Sequence, residues 1–388
     1  MQISDWLLRK KEYLVNVRRW LHRNPEIGFK EFETSKYLKS ILENVGYTII
    51  QNKFMKTGFY CEYGYDDSNV LGIRCDMDGL LIDEVSKKEY KSINPGVMHA
   101  CGHDIHMTIV IGIALFLKER NKNIPGKIRF IFQPAEEQAP GGSISMIEGG
   151  ALLNMNHIIA GHVLPKLSAD KIGIKYGPMA AIVEIVEIII KGPGGHTSRP
   201  NESVDLAMVM SMLIVSLQES VNDDIDKNEP AVLAFGKING GHAFNVLPDM
   251  ITLKGTLRYL NPQIKDLLYK KFKDIILDIQ NTTGAKISLN VPYTSPGVIN
   301  DEYTTKVMID AAKQSIGSEN LVIMEESSMG GEDFAYYLEH IPGSYFRIGC
   351  SDGIANDVHT PNFDVNEDCI LTAVEFLEKT INIYFESK

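Results

Sequence analysis

The sequence predicts an α/β protein: a mixed, mostly parallel sheet flanked by helices, with a smaller ferredoxin-like (βαββαβ) domain inserted into it. Three observations carry this reading. Up to about residue 180, short apolar runs alternate with stretches of helical periodicity, the rhythm of a largely parallel sheet with helical crossovers. Between about 181 and 296 the order becomes strand, helix, strand, strand, helix, strand, which forms a compact domain of its own. After that the first rhythm resumes. The expected organisation is a discontinuous larger domain, 1–181 and 298–388, and an inserted domain, 182–297.

Each element has its own signal. Trp6, Leu7, Tyr13, Leu14, Val17, Trp20 and Leu21 recur at helical spacing and stop near Pro25; a second helix is expected over Glu31–Val45. Val70–Cys75, Lys127–Phe132 and His157–Ala160 read as strands, with a helix at Ile105–Glu119 between the first two. The insert reads as strand Ile182–Ile190, a Gly/Pro loop, helix Val204–Val221, strands Ala231–Ile238 and Met250–Tyr259, helix Pro262–Asn281 and strand Lys286–Val291. A helix at Asp301–Ile316, a strand around Tyr345–Ile348 and a terminal amphipathic helix at Val365–Phe385 complete the pattern.

Composition excludes several function classes. With 388 residues, 44% of them apolar, the chain can bury a core without disulfide or metal staples. A net charge of −11 repels a polyanion, whose binding depends on Lys and Arg displacing phosphate counterions, so nucleic acid is not an expected partner. No run approaches the ~18 apolar residues of a membrane span; the most apolar, Ala180–Ile190, is broken by Glu184 and Glu187. The start, MQISDWLLRKKE, carries charges where a signal peptide needs an apolar run. Five cysteines without CxxC spacing argue against a disulfide framework and for a reducing compartment. The expectation is a cytoplasmic protein with no membrane partner.

Metal-competent residues gather at or after the expected strands: Asp76 and Asp78, Glu136 and Glu137, and His162. In open α/β sheets that edge is where ligands bind. The richest run is MHACGHDIH, 98–106. Asp104 is placed as the N-cap of the helix that follows, and in an extended lead-in Cys101 and His103 share a face. Thiolate and imidazole together suit Zn²⁺ or a similar ion, although the pair alone more often describes a buried Cys beside a helix cap. In QPAEE, Pro134 implies that the chain has left the sheet, so both glutamates can address one site, one as ligand and one as base; two solvated loop glutamates would look the same. His359 lies in a loop after a strand and can reach the same edge. In the insert, GPGGHTSRP presents His196 at a loop tip, either as a donor to a ligand or as part of a flexible connection. Asn245 follows in GGHAFNVLPD; Arg258, in KGTLRYL, is either a carboxylate clamp or a surface ion pair. HExxH, Walker, GxGxxG and GxSxG sequences are all missing.

Taken together, RRWLHRNPEIGFKEFET, IRCDMDGLLIDE, MHACGHDIHM, FQPAEE, GHV, GGHTSRP, FNVLPD, GTLR, GGEDF and HTPNFD follow one another over nearly the whole chain. This series resembles the M20 family of metallopeptidases and amidohydrolases. It is most similar to the branch of N-acyl-amino-acid hydrolases that includes hippurate hydrolase, auxin-conjugate hydrolases and N-acetyldiaminopimelate deacetylase. The resemblance implies a catalytic domain with two divalent metal ions at the sheet edge and a lid domain that also mediates homodimerisation. It implies Cys101 as the bridging ligand, with His103, Glu137, His162 and His359 completing the set, Glu136 as general base and Asp78 as an orienting carboxylate. His196 corresponds to an oxyanion-stabilising histidine, often supplied across a dimer, and Asn245 and Arg258 to positions that hold the substrate carboxylate. Cys75 stands where the branch usually has Ala, Leu81 where it has Pro, and Thr197-Ser198 where it has Ala-Ala. These departures leave the ligands and base intact and bear on the substrate side chain. The expected reaction is hydrolysis of N-acyl-L-amino acids by metal-activated water. A metal-dependent exopeptidase of the same superfamily is the rival. A thiolate ligand disfavours Mg²⁺ and leaves Zn²⁺, Mn²⁺, Ni²⁺ or Co²⁺.

Overall fold

The structure, a computed structural model, describes residues 3–222, 229–351, 353 and 356–386. Two compact units emerge. The first contains 1–177, 299–326 and 333–388, and the second 178–298 and 327–332.

In the first unit the sheet order is Ile49–Gln51, Phe59–Gly64, Lys127–Gln133, Val70–Asp76, His157–Ser168, Gly343–Ser351, Ile172–Ile174, Leu321–Ile323. The four central strands, Lys127–Gln133 to Gly343–Ser351 in that order, run parallel, so their carboxyl ends open on one edge. The predicted α/β class with a mostly parallel sheet is therefore what the chain adopts. Val70–Asp76 is buried along its whole length, as expected of a strand covered on both faces. The helix His103–Glu119 is buried from His103 to Leu117, which explains why its sequence is apolar all round. It packs with Asp5–Arg23 and Cys369–Glu386, joining Leu14, Ile113, Val374 and Phe346 in one core.

Several local expectations need correction. The helix beginning at His103 is capped by Gly102, not by Asp104. Asp104 lies inside the first turn, accepting hydrogen bonds from Arg18 Nε and His22 Nδ1, both at 2.8 Å. Nor is the approach to His103 extended. Gly102 has φ 81°, and a Cβ there would meet Val163 Cγ2 at 2.5 Å, so the chain turns where only glycine fits. The strand expected to end at Ala160 continues to Ser168, which places His162 within it. The terminal helix starts at Cys369 rather than Val365. The three-residue strands are too short to show a period, and the six-residue strand Phe59–Gly64 lies outside the expected elements.

The second unit has a four-stranded antiparallel sheet in the order Ala231–Gly240, Met250–Tyr259, Ile182–Lys191, Lys286–Ser295. Burial alternates strictly along Ile182–Ile190, giving one apolar face against which helices Leu206–Asn222 and Lys265–Thr283 pack. Residues 327–332, placed by sequence in the larger domain, cluster here. Gly330 O accepts the Ala181 N–H at 3.1 Å, and Met329 O accepts from Arg258 at 2.8 Å.

Candidate metal centre

Four chain segments converge at the carboxyl edge of the parallel strands. The ligand atoms of Cys101, His103 and His162 lie within 4.8 Å of one another, as do those of Cys101, Glu137 and His359, and those of His103, Glu136 and Glu137. Cys101 is common to the first two triads: its Sγ is 3.2 Å from His162 Nε2 and 3.3 Å from His359 Nε2. The structure thus brings together Cys101, His103, Glu136, Glu137, His162 and His359, which are scattered over some 260 positions of sequence.

Local chemistry sets each side chain. Ala135 adopts φ 54° just past the end of strand Lys127–Gln133, so Glu136 and Glu137 follow a left-handed turn instead of alternating across a strand. Asp78 fixes both: Oδ1 accepts the Glu136 N–H at 3.0 Å and Oδ2 the Glu137 N–H at 3.1 Å. Asp78 Oδ1 also lies 3.4 Å from His103 Nδ1. His162 Nδ1–H donates to its neighbour's carbonyl, Val163 O, at 2.7 Å, which leaves Nε2 as the lone-pair nitrogen facing Cys101. Loss of water around the ring, with His106 and Arg347 nearby, holds His162 well below the ordinary histidine range. His359 also has a positive φ, 61°, and its N–H donates to Ala100 O at 2.8 Å, tying its loop to the residue before Cys101. Its Nε2 is 3.1 Å from Glu137 Oε1.

The donor set fits divalent cations. Both ring nitrogens of His103 and Oε1 of Glu137 are buried without a well-aligned hydrogen bond, their near neighbours being Asp78 Oδ1 at 3.4 Å from His103 Nδ1 and His359 Nε2 at 3.1 Å from Glu137 Oε1, an expensive condition unless something else satisfies them. Burial and the adjacent Glu137 and Glu136 carboxylates push the Cys101 thiol well above its usual range, so a thiolate here calls for positive charge beside it. On His103, burial opposes protonation but Asp76, Asp78 and Glu137 outweigh it and raise its pKa to about 10: the surroundings favour a cation at this point. One thiolate, three imidazoles and a carboxylate suit Zn²⁺, Mn²⁺, Ni²⁺ or Co²⁺.

Sequence reasoning missed part of the support. His106 Nδ1–H donates to Asp76 Oδ1 at 2.7 Å, and its Nε2 accepts the Val163 N–H at 3.0 Å, which locks the backbone next to His162. Asp76 is in turn held by the buried Arg74 at 2.8 Å, and Arg74 reaches Asp333 at 2.7 Å. Asp333 also accepts from Gln133 Nε2 and the Ser143 N–H. The three-residue spacing of His103 and His106 on one helix was the available signal for His106. His99, from the same run, belongs to none of the triads; burial lowers its pKa to about 4.

The remaining candidates lie in the second unit. His196 and Val246 are paired across two short strands, and the Thr197 N–H donates to Asn245 O at 3.3 Å, so the His196 and Asn245 loops are neighbours. Arg258 is on the strand Met250–Tyr259, its guanidinium donating to Met329 O.

Residues 72–383 match the sequence model of peptidase family M20/M25/M40. The chain is 36% identical to N-acetyl-L-cysteine deacetylase of Bacillus subtilis, over 97% of this chain and 89% of that protein. It is 34% identical to IAA-amino acid hydrolase ILR1-like 4 of Arabidopsis thaliana, over 92% and 82% respectively. Among solved structures it is similar to the Bacillus subtilis YXEP protein, described as a dinuclear metal binding peptidase from the M20 family. The TM-score is 0.87, with 32% identity over 99% of this chain and 100% of that one. A cysteine-centred cluster at the edge of a parallel sheet and a sequence matched along nearly its full length give one answer: the chain belongs to peptidase family M20/M25/M40.

Proposed function

We propose that the protein is a metal-dependent amidohydrolase that cleaves the amide bond of N-acyl-L-amino acids. The observation that carries this reading is Cys101, shared by two ligand triads, with the Glu136 carboxylate beside His103 and Glu137. The deacetylase and the IAA-amino acid hydrolase, both named for N-acylated amino acids, support the substrate class.

Cys101, His103, Glu137, His162 and His359 would hold two divalent cations, which supply a lowered pKa for bound water and polarisation of the amide carbonyl. Glu136 accepts the proton of the attacking water on its carboxylate and delivers it to the departing amine nitrogen. Asp78 keeps Glu136 and Glu137 in register through their N–H groups. In the second unit the Ser198 N–H donates to His196 Nδ1 at 3.1 Å, so the ring proton sits on Nε2, ready to donate to the oxyanion of the tetrahedral intermediate. Asn245 and Arg258 hold the substrate carboxylate, and the second unit acts as lid. The exposed stripe Met208, Met212 and Val215 on its helix supports homodimerisation through that unit. Among the described residues no helix is long and apolar enough to cross a membrane. All five cysteines are buried thiols, which supports a cytoplasmic location.

The test is a panel of N-acyl-L-amino acids, including N-acetylcysteine, hippurate and N-acetyldiaminopimelate, set against free dipeptides. Each of Zn²⁺, Mn²⁺, Ni²⁺ and Co²⁺ is titrated into metal-free protein. Turnover of an N-acyl amino acid with Glu136→Gln slowed about 10²–10⁴-fold while still binding metal supports the reading. Turnover of free dipeptides alone points to the exopeptidase, and a fully active Glu136→Gln removes the base.

A further inference from the structure

Glu31 has no part in the reaction above, yet its side chain is fully buried and bonded to the segment that carries Glu136. Its place at the start of helix Phe32–Asn44 does not account for it, because it makes no capping bond with its side chain. Glu26 does that work, its carboxylate accepting the N–H groups of Glu33 at 3.2 Å and Thr34 at 2.8 Å. Glu31 instead turns inward. Its Oε1 accepts the Phe29 N–H at 3.0 Å and the Ala135 N–H at 2.9 Å, and its Oε2 accepts the Thr57 hydroxyl at 2.8 Å.

Both residues whose N–H groups meet Oε1 are left-handed, Phe29 at φ 67° and Ala135 at φ 54°. That region is unfavourable for any residue with a Cβ and persists only where the surroundings enforce it. Three successive N–H groups, those of Ala135, Glu136 and Glu137, are thus divided between two buried carboxylates, Glu31 for the first and Asp78 for the other two.

We propose that Glu31 is a positioning residue for the general base: by holding Ala135 left-handed it turns the chain immediately before Glu136 and sets where that carboxylate lies. The proposal rests on the reading of Glu136 as base. It follows that the contribution of Glu31 is conformational. Glutamine keeps an oxygen able to accept both N–H groups, its amide meeting the Thr57 hydroxyl as donor. Glycine at 135 reaches positive φ without a side-chain penalty and so lessens the need for Glu31.

The experiment compares Glu31→Ala, Glu31→Gln, Ala135→Gly and the double variant Glu31→Ala/Ala135→Gly. Glu31→Asp, one methylene too short to reach, replaces Glu31→Ala should that variant fail to fold. Glu31→Ala is expected to lower kcat about a hundredfold with KM little changed, Glu31→Gln to retain most of the rate, and the double variant to recover most of what Glu31→Ala lost. Amide hydrogen exchange at Glu136 and Glu137, measured on metal-free protein, should accelerate in Glu31→Ala and slow again in the double variant. Wild-type kcat and exchange in Glu31→Ala, or no rescue by glycine with losses that simply track thermal stability, overturns the proposal. Glu136→Gln is assayed alongside. If it stays active, the base assignment fails while the exchange result still judges what Glu31 does to the backbone.

Discussion

The carboxylate of Asp78 takes the backbone N–H of Glu136 at 3.0 Å, so the proposed base is anchored through its main chain. Because the second oxygen takes the Glu137 N–H, one side chain aligns both the base and a ligand. Asp78→Asn puts an NH₂ where one of those N–H groups needs an acceptor. It is expected to lower kcat or metal affinity about 10–100-fold, read by steady-state kinetics and by metal titration. A variant that matches wild type in both would show that the turn after Pro134 holds itself.

The sharing of Cys101 by two triads gives a stoichiometric prediction. Cys101→Ala should lower occupancy of both cation positions. His162→Ala and His359→Ala should each lower one. Elemental analysis after equilibration at limiting metal reads this directly. Cation addition should also raise the melting temperature of wild-type protein, since a ligand bound only by the folded state stabilises it by mass action.

Arg18 is fully buried and meets Asp104 at 2.8 Å, Asp364 at 3.0 Å and Glu367 at 3.2 Å. It ties the helix that begins at His103 to the segment just after His359. Arg18→Met removes the only cation that touches all three carboxylates among the described residues and is expected to cost about 3–5 kcal/mol, measured by urea unfolding. A loss within the error of the titration would mean that the carboxylates find other partners.

His22 gives a pH prediction. Burial, the largest influence, and Arg18 oppose its charge, but the bonds to Asp104 and Glu84 prevail and raise its pKa. A histidine raised on folding contributes stability that is complete below its unfolded value of about 6.5. That contribution is lost as pH climbs through the higher folded value. Wild type should therefore lose more stability than His22→Gln between slightly acidic and alkaline pH. Parallel stability curves for the two would assign the dependence to other groups.

His196→Ala should lower kcat about 10²–10³-fold with little change in metal content. If His196 serves a partner's site, mixing inactive His196→Ala and Glu136→Gln chains under subunit exchange restores turnover. If it serves its own, the mixture stays inactive.

Much of this was legible in the one-dimensional chain, and the reasons differ by element. The buried parallel strand Lys127–Gln133 carries the apolar run Phe130–Phe132, and the insert's strand Ile182–Lys191 shows its half-buried face as strict alternation, so both announce themselves. The motif order identified the residues Cys101, His103, Glu136, Glu137, His162 and His359 that the structure gathers. Short strands and the Gly102 cap did not show, because three residues have no period and a left-handed glycine looks like any other.

The sequence by itself determined the fold class, through residue type and local spacing, and nominated the side chains proposed to carry the chemistry, through the order of its motifs. Only the tertiary structure decided how the chain reaches the site: Ala135 and His359 at positive φ, Asp78 and Glu31 dividing three N–H groups, His106 and Arg74 bracing Asp76. Apart from the Arg74–Asp76 pair, two residues apart, those bonds join positions 30 to 104 residues apart, and a hydrogen bond exists only once folding has brought donor and acceptor within about 3 Å.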